Sequence, residues 1–319
     1  METDMLPYLD EERVRSLLRV EELLPVMERA LVELSVGRVE QPARQMLKAP
    51  ASNAYFGAMP AAGVVGMGAK LVSIYPGNAS LDLPTHLALI LLFRPETGEP
   101  LAVLDGRLIT EMRTAAVSAV ATRALARPDA KILAVLGSGV QARSHVEALR
   151  LVRDFPEVRV WSRDPERARK FAQDVGGRAM EAADAVKDAD VVVTATAATA
   201  PILAGAWLEQ GALVNAVGWS GPNGRELDDA AMRDSVVIAD SREGVMRESG
   251  DVLLSGAKIF AELGEVLAGS VTVPEGRTTV FESVGMAVED VAAAALVFER
   301  FVTEGSGGML PVHDSQAGR

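Results

Sequence analysis

The sequence predicts an α/β protein in two parts: a doubly wound parallel sheet, preceded by a smaller α+β unit. Three observations predict it. From Lys131 onward, short apolar runs alternate with amphipathic stretches, the order expected of parallel strands with helices on both faces. A glycine turn, Gly137-Ser138-Gly139, directly follows the first of those runs. Before about Leu108 the pattern differs, with one long helical signal followed by paired β-like runs. A chain of 319 residues is long enough for two such units.

The elements follow in order. Asp10 to Gly37 reads as helical, because Leu23, Leu24, Met27, Leu31 and Leu34 recur at helical spacing and Gly37 suits a C-terminal stop. Ala54 to Met59 and Ala69 to Ile74 read as strands. Leu87 to Phe93 and Pro100 to Leu104 flank the turn-forming Pro95-Glu96-Thr97-Gly98, which predicts a hairpin. Thr114 to Leu125 is an Ala- and Val-rich helix ended by Pro128-Asp129. The strand Lys131 to Leu136 leads through the glycine turn into a helix reaching Val152. Val158 to Ser162 is the next strand. Asp164-Pro165 supplies an N-cap and a first-turn proline for a helix to Val175. Later strands are Val191 to Thr194, Leu213 to Val217, Val236 to Ala239 and Thr278 to Phe281, before a long helix from Val284 to Val302. The Gly- and Ser-rich tail after Thr303 is expected to be loosely held.

Composition narrows the function. Arg and Lys total 32 against 44 Asp and Glu, a net charge of −12. Such a surface repels phosphate backbones and anionic lipid, so neither nucleic acid nor membrane is an expected partner. An anionic substrate would need local cations. There is no cysteine, which excludes disulfides, thiolate catalysis and zinc–sulfur sites. His86, His145 and His313 lie far apart and show no metal-ligand spacing, so no metal is expected. Met1 to Asp10 lacks the basic and apolar regions of a secretion signal, and no apolar run reaches membrane-span length; a cytoplasmic protein is expected.

Gly137-Ser138-Gly139-Val140-Gln141-Ala142 fits G-x-G-x-x-A between a predicted strand and a predicted helix, the context of a Rossmann-type dinucleotide-binding domain. The first glycine permits the tight turn, the second admits backbone to a pyrophosphate, and the small third residue lets helix and strand pack closely. The helix N-terminus offers free N–H groups and partial positive charge. At the end of the second strand stand Ser162 and Arg163, where NAD-specific sites place a carboxylate. A hydroxyl and a guanidinium suit a 2′-phosphate, so NADPH is expected over NADH.

Several segments together carry a family resemblance: Gln41 to Arg44, Met67 to Val72, Arg113 to Ala116, Asn215 to Gly218, Arg225 to Asp229, Glu248 to Asp251 and Val280 to Asp290. With the glycine motif, they make the chain resemble the ornithine cyclodeaminase / mu-crystallin family along nearly its whole length, most of all the mu-crystallin branch. The resemblance implies an NADPH-dependent ketimine reductase and a homodimer. It also implies a substrate-binding and dimerisation domain over 1–112, completed by about 303–319, and a Rossmann domain over 113–302. Two departures argue against ornithine cyclisation. Gly57 stands where cyclodeaminases carry Glu, and Trp219-Ser220-Gly221-Pro222 stands where they carry a Cys-containing loop.

A 2-imino carboxylate needs an anion clamp, a proton source and a hydride held over the imine carbon. The resemblance places Arg44, Lys70 and Arg113 around the carboxylate, with Thr85 and His86 in the same cleft. The bland alternative for each cation is a structural ion pair; a lone His beside an apolar strand is more often a core residue. Asp228, with Lys70, is the expected acid/base pair; the competing role for Asp228 is a helix N-cap, which Asp229 could fill instead. Arg113, Thr114, Gly137, Gly139, Val140, Gln141, Ser162, Arg163, Thr196, Ala197, Val217, Gly218, Ser283 and Gly285 are expected to face the dinucleotide. The acidic pairs Asp228-Asp229 and Glu289-Asp290 are assigned no metal, Glu289-Asp290 is given no other role, and Met59 and Met67 are expected core filler. Competing activities are an alanine or N-alkyl amino acid dehydrogenase, an ornithine cyclodeaminase, and a non-catalytic small-molecule binding protein.

Overall fold

The computed structural model describes residues 6–49, 54–218 and 221–305. Among these residues the fold has two sheets. The first contains seven strands, ordered Tyr8–Leu9, Pro100–Asp105, His86–Phe93, Gly66–Ile74, Tyr55–Gly63 and Val39–Glu40, with Gln45–Lys48 also paired to Tyr55–Gly63. Its long strands are antiparallel. Gly57, Met59 and Ala61 alternate inward with Gly68 and Lys70 of the neighbouring strand, and with Ile90 and Leu92 beyond. That inner face packs on the helices Gly106–Leu125 and Ala287–Gly305, and Val20–Ser35 packs in turn on both.

The second sheet contains eight parallel strands, ordered Arg178–Ala179, Glu157–Trp161, Ile132–Leu136, Val191–Thr194, Leu213–Ala216, Thr279–Glu282, Val236–Ala239 and Ile259–Glu262. The chain runs outward from Ile132–Leu136 in one direction, then returns to the other side at Val191–Thr194. The crevice between these two strands is the switch point at which dinucleotide sites form. Strands buried on both faces read as nearly continuous apolar runs, and Val191–Thr194 and Val236–Ala239 have the expected bounds.

Three expectations need correction. The helix expected over Asp10 to Gly37 is two helices, Glu11–Leu17 and Val20–Ser35, because Leu18 and Arg19 turn extended between them. The domain boundary expected at 112/113 falls inside one continuous helix, Gly106–Leu125. The return to the first unit begins at Ala287, not near residue 303, since the helix Ala287–Gly305 already packs on Val20–Ser35 and Gly66–Ile74. The tail expected to be loosely held lies, from residue 306, outside the described residues. No helix among the described residues is long and apolar enough to cross a membrane.

Candidate active site

The site forms where the strand Thr279–Glu282 gives way to the helix Ala287–Gly305, against the inner face of the first sheet. Lys70 is 3% exposed and Arg113 is 4% exposed, so neither is a solvated surface charge. Asp290 joins them: Lys70 Nζ lies 2.5 Å from its Oδ2, and Arg113 Nε donates to its Oδ1 at 2.8 Å. Arg113 also pairs with Glu289. The acidic pair given no role in the sequence is therefore the counter-charge of two clamp candidates. Arg44 reaches the same turn from the other side. It donates to the carbonyls of Val284 and Gly285, both at 2.7 Å, and pairs with Glu248 at 2.8 Å. Gly285 has φ +75°, and a Cβ there would stand 2.8 Å from the Arg113 guanidinium, so glycine is required.

The electrostatics follow from burial. Desolvation pushes Lys70 down to about 8, opposed by Asp290 and helped by the Arg113 and Arg44 charges. Burial works against Asp290, but Arg113 and Lys70 outweigh it and hold the carboxyl below its ordinary range. Burial pushes Glu289 up to about 7 despite Arg113, and also raises Glu248 despite Arg44. Three cations, Lys70, Arg44 and Arg113, face four carboxyls, Asp290, Glu289, Glu248 and Asp240, of which burial raises the last three. A carboxylate bound here would meet cations whose partners are weakened acids.

A cavity opens beside Arg44, lined also by Met59, Glu243, Glu248, Gly285 and Met286. Met59 is thus both buried core and cavity wall. Thr85 and His86 stand at the edge of the same sheet face, with Thr85 Oγ1 and His86 Nδ1 3.3 Å apart. His86 is exposed, not a core histidine, and desolvation together with the Lys70 charge lowers its pKa. At Gly57, an added Cβ would meet Met46 Sδ at 2.5 Å, so a methionine seats where larger residues at 57 would project.

The dinucleotide crevice is formed by the ends of adjacent strands. Gly137 has φ +140°, and a Cβ on it would lie 2.5 Å from the Ala195 carbonyl oxygen, across the switch point. A Cβ on Gly139 would meet nothing within 4 Å. Gly139 precedes the helix Val140–Arg150, whose N-terminus has no side-chain cap, and Val140 is exposed. Free N–H groups at an open glycine fit a pyrophosphate. Gln141 keeps a buried Oε1 without a hydrogen-bond partner among the described residues. Ser162 is bonded to Ser138 at 2.9 Å, and the Asp164 carboxylate caps its own helix through the N–H groups of Glu166 and Arg167. Arg163 is exposed. Thr196 and Gly218 lie in the loops that follow the neighbouring strands Val191–Thr194 and Leu213–Ala216, beside Ala197 and Val217. Ser283 donates to Asp240 at 3.1 Å, and Thr114 donates back to the Thr110 carbonyl at 2.7 Å.

Asp228 is the main correction. It is the N-cap of the helix Asp229–Arg233, and its Oδ1 accepts from Ala231 N at 2.8 Å and Gly205 N at 3.0 Å. Its neighbours Leu227, Ala231 and Met232 belong to the core on the opposite face of the parallel sheet from the first unit. The cap role prevails, and Asp228 makes no contact with the cation cluster. The carboxylate that reaches the crevice is Glu226, two residues earlier, which the sequence reading missed. No local signal marks it in the sequence. Trp219 and Ser220 lie outside the described residues. Among the described residues no group of acidic and histidine side chains is arranged to hold a metal.

Fold and site define a Rossmann-type α/β protein with buried cations between the switch point of a parallel sheet and an antiparallel sheet. The model of the ornithine cyclodeaminase/mu-crystallin family matches residues 3–305, and the chain belongs to that family. It is 48% identical over 301 residues to the ketimine reductase mu-crystallin of Mus musculus, covering 92% of this chain and 96% of the relative. Among solved structures it is similar to Thermococcus litoralis Δ1-pyrroline-2-carboxylate reductase in complex with NADH and L-proline. There the TM-score is 0.90 at 37% identity, covering 94% of this chain and 98% of the other. An archaeal alanine dehydrogenase dimer with bound NAD gives a TM-score of 0.89 at 31% identity, covering 94% and 97%.

Proposed function

We propose that the chain is an NAD(P)H-dependent ketimine reductase, reducing the C=N bond of a cyclic 2-imino carboxylate. The observation that carries this reading is the convergence of Arg44, Lys70 and Arg113 on the 284–290 turn beside a dinucleotide crevice. When bound, the dinucleotide supplies the hydride. Gly137, Gly139 and the start of the helix Val140–Arg150 would hold its pyrophosphate. Arg44, Lys70 and Arg113 attract and orient the substrate carboxylate, each charge-assisted bond contributing on the order of 1.5–3 kcal/mol. Lys70, at about 8, is mostly an ammonium at neutral pH yet gives up its proton readily. It is the proton source for the substrate nitrogen, and Asp290 keeps Nζ in place.

Support for NADPH over NADH comes from Arg163, exposed beside Ser162, while Asp164 is spent on its helix. The assembly proposed is a homodimer through the outer face of the first sheet. There Phe56, Leu71, Leu87, Leu89 and Leu91 share one side, and Phe56, Leu87 and Leu89 are each more than 40% exposed. The test of the activity is NADPH oxidation with a panel of cyclic imino acids at mildly acidic pH. Pyruvate with ammonia or methylamine serves as the competing pair. Turnover on the imino acids is expected; none across the panel overturns the reading.

A further inference from the structure

We infer that Glu226 is a positioning residue for the dinucleotide: its carboxylate ties the two strand-end loops, 195–198 and 217–218, into a single wall of the cofactor crevice. Glu226 is fully buried. Its Oε1 accepts from Thr196 N at 2.8 Å and from Thr196 Oγ1 at 2.5 Å. Its Oε2 accepts from Gly218 N at 3.2 Å. A Cβ on Gly218 would collide with this carboxylate, so the loop closes on Glu226 only because residue 218 is glycine. The segment that presents Glu226 is itself held. Asp251 accepts from Glu226 N at 3.0 Å and Leu227 N at 2.7 Å, and the Glu226 carbonyl accepts from Ile202 and Leu203.

The ionised form makes the stronger brace. A carboxylate accepts from all three donors. On protonation one oxygen becomes a hydroxyl, a weaker acceptor, whose proton must find an acceptor of its own, and Thr196 Oγ1 would have to turn to receive it. Three carboxyls and one cation stand near it: Asp251 on the helix Gly250–Ser255, Glu282 and then Asp240 at neighbouring strand ends, and Arg225 beside it in sequence. Burial raises Glu226 to about 7, against its hydrogen bonds and helped by Asp251. The brace therefore loosens as pH falls through neutrality.

This inference rests on the reading that the crevice takes a nicotinamide dinucleotide. The test uses the full chain and NADH, which has no titrating 2′-phosphate. Dissociation constants are read from nucleotide fluorescence between pH 5.5 and 8.5 for the parent, Glu226→Gln and Asp251→Asn. The parent is expected to weaken about tenfold as pH falls through 7, the loss of one hydrogen bond to a charged group. Glu226→Gln is expected to bind about tenfold more weakly at pH 8.5 and to show no step. Its KM for dinucleotide should rise while kcat at saturation changes by less than about threefold. Asp251→Asn keeps an acceptor and should retain the step. Glu226→Gln binding within twofold of the parent overturns the assignment. So does a parent with no step, which needs no variant to fold. If the parent binds neither NADH nor NADPH at pH 8.5, the underlying reading falls first.

Discussion

Lys70 and Asp290 form an ion pair of 2.5 Å in which neither side chain is more than 3% exposed. Asp290 keeps the lysine from losing its proton at still lower pH. Asp290→Asn should therefore move the basic limb of the kcat/KM profile from about 8 downward by roughly 1 unit or more. Above that limb Lys70 is neutral and has no proton to give. The variant should also lose roughly 3–5 kcal/mol of stability, since a buried cation pair is left under-compensated. The check is a pH–rate profile with urea unfolding; an unmoved basic limb removes Lys70 as the acid.

The two glycines of the phosphate turn separate folding from binding. Gly137→Ala places a Cβ 2.5 Å from the Ala195 oxygen at φ +140°, and should cost about 1–3 kcal/mol or more. Gly139→Ala meets no protein atom within 4 Å, so unfolding should be unchanged while dinucleotide affinity falls about tenfold or more. Thermal unfolding and fluorescence titration on the same pair decide it.

Asp228→Ala should behave as the loss of a helix cap. About 1 kcal/mol of stability is expected to go, with kcat within a factor of about two. Asp228→Asn, which still caps, should be nearly silent. A loss of turnover beyond a hundredfold in a folded Asp228→Asn protein would return Asp228 to the chemistry.

Arg163→Ala should raise the KM for NADPH by about tenfold or more and leave NADH nearly unchanged, as expected for one exposed guanidinium on a 2′-phosphate. Steady-state kinetics with both nucleotides gives the answer. A parent that prefers NADH contradicts the assignment.

Leu89→Glu places a charge in the middle of the outer sheet face without touching the core, as Leu89 is 41% exposed. The parent should run as a dimer by light scattering and the variant as a monomer. A parent that is monomeric at micromolar concentration rejects that interface.

Burial decided what the sequence disclosed. Strands buried on both faces are legible because they are mostly apolar, as in Val191–Thr194, with three valines, and Val236–Ala239. The strand Ile259–Glu262 is half exposed, with Phe260 outward and Glu262 at its end, and it carries no such signal. Arg44, Lys70 and Arg113 were visible through the family resemblance. Their partners were not: Arg113 and Asp290 are 177 residues apart, and only the fold brings them together. At Asp228 the local signal for a cap was readable and prevailed. At Glu226 nothing local distinguishes a crevice brace from an ordinary acidic residue.

The helix Gly106–Leu125 touches both halves of the molecule. Near its start Thr110 lies 3.5 Å from Lys70 of the first sheet, and near its end Thr122 accepts from Asn215 of the second at 3.0 Å. Arg113 rides on this same rod, so the register of a single helix sets where its guanidinium stands relative to both sheets.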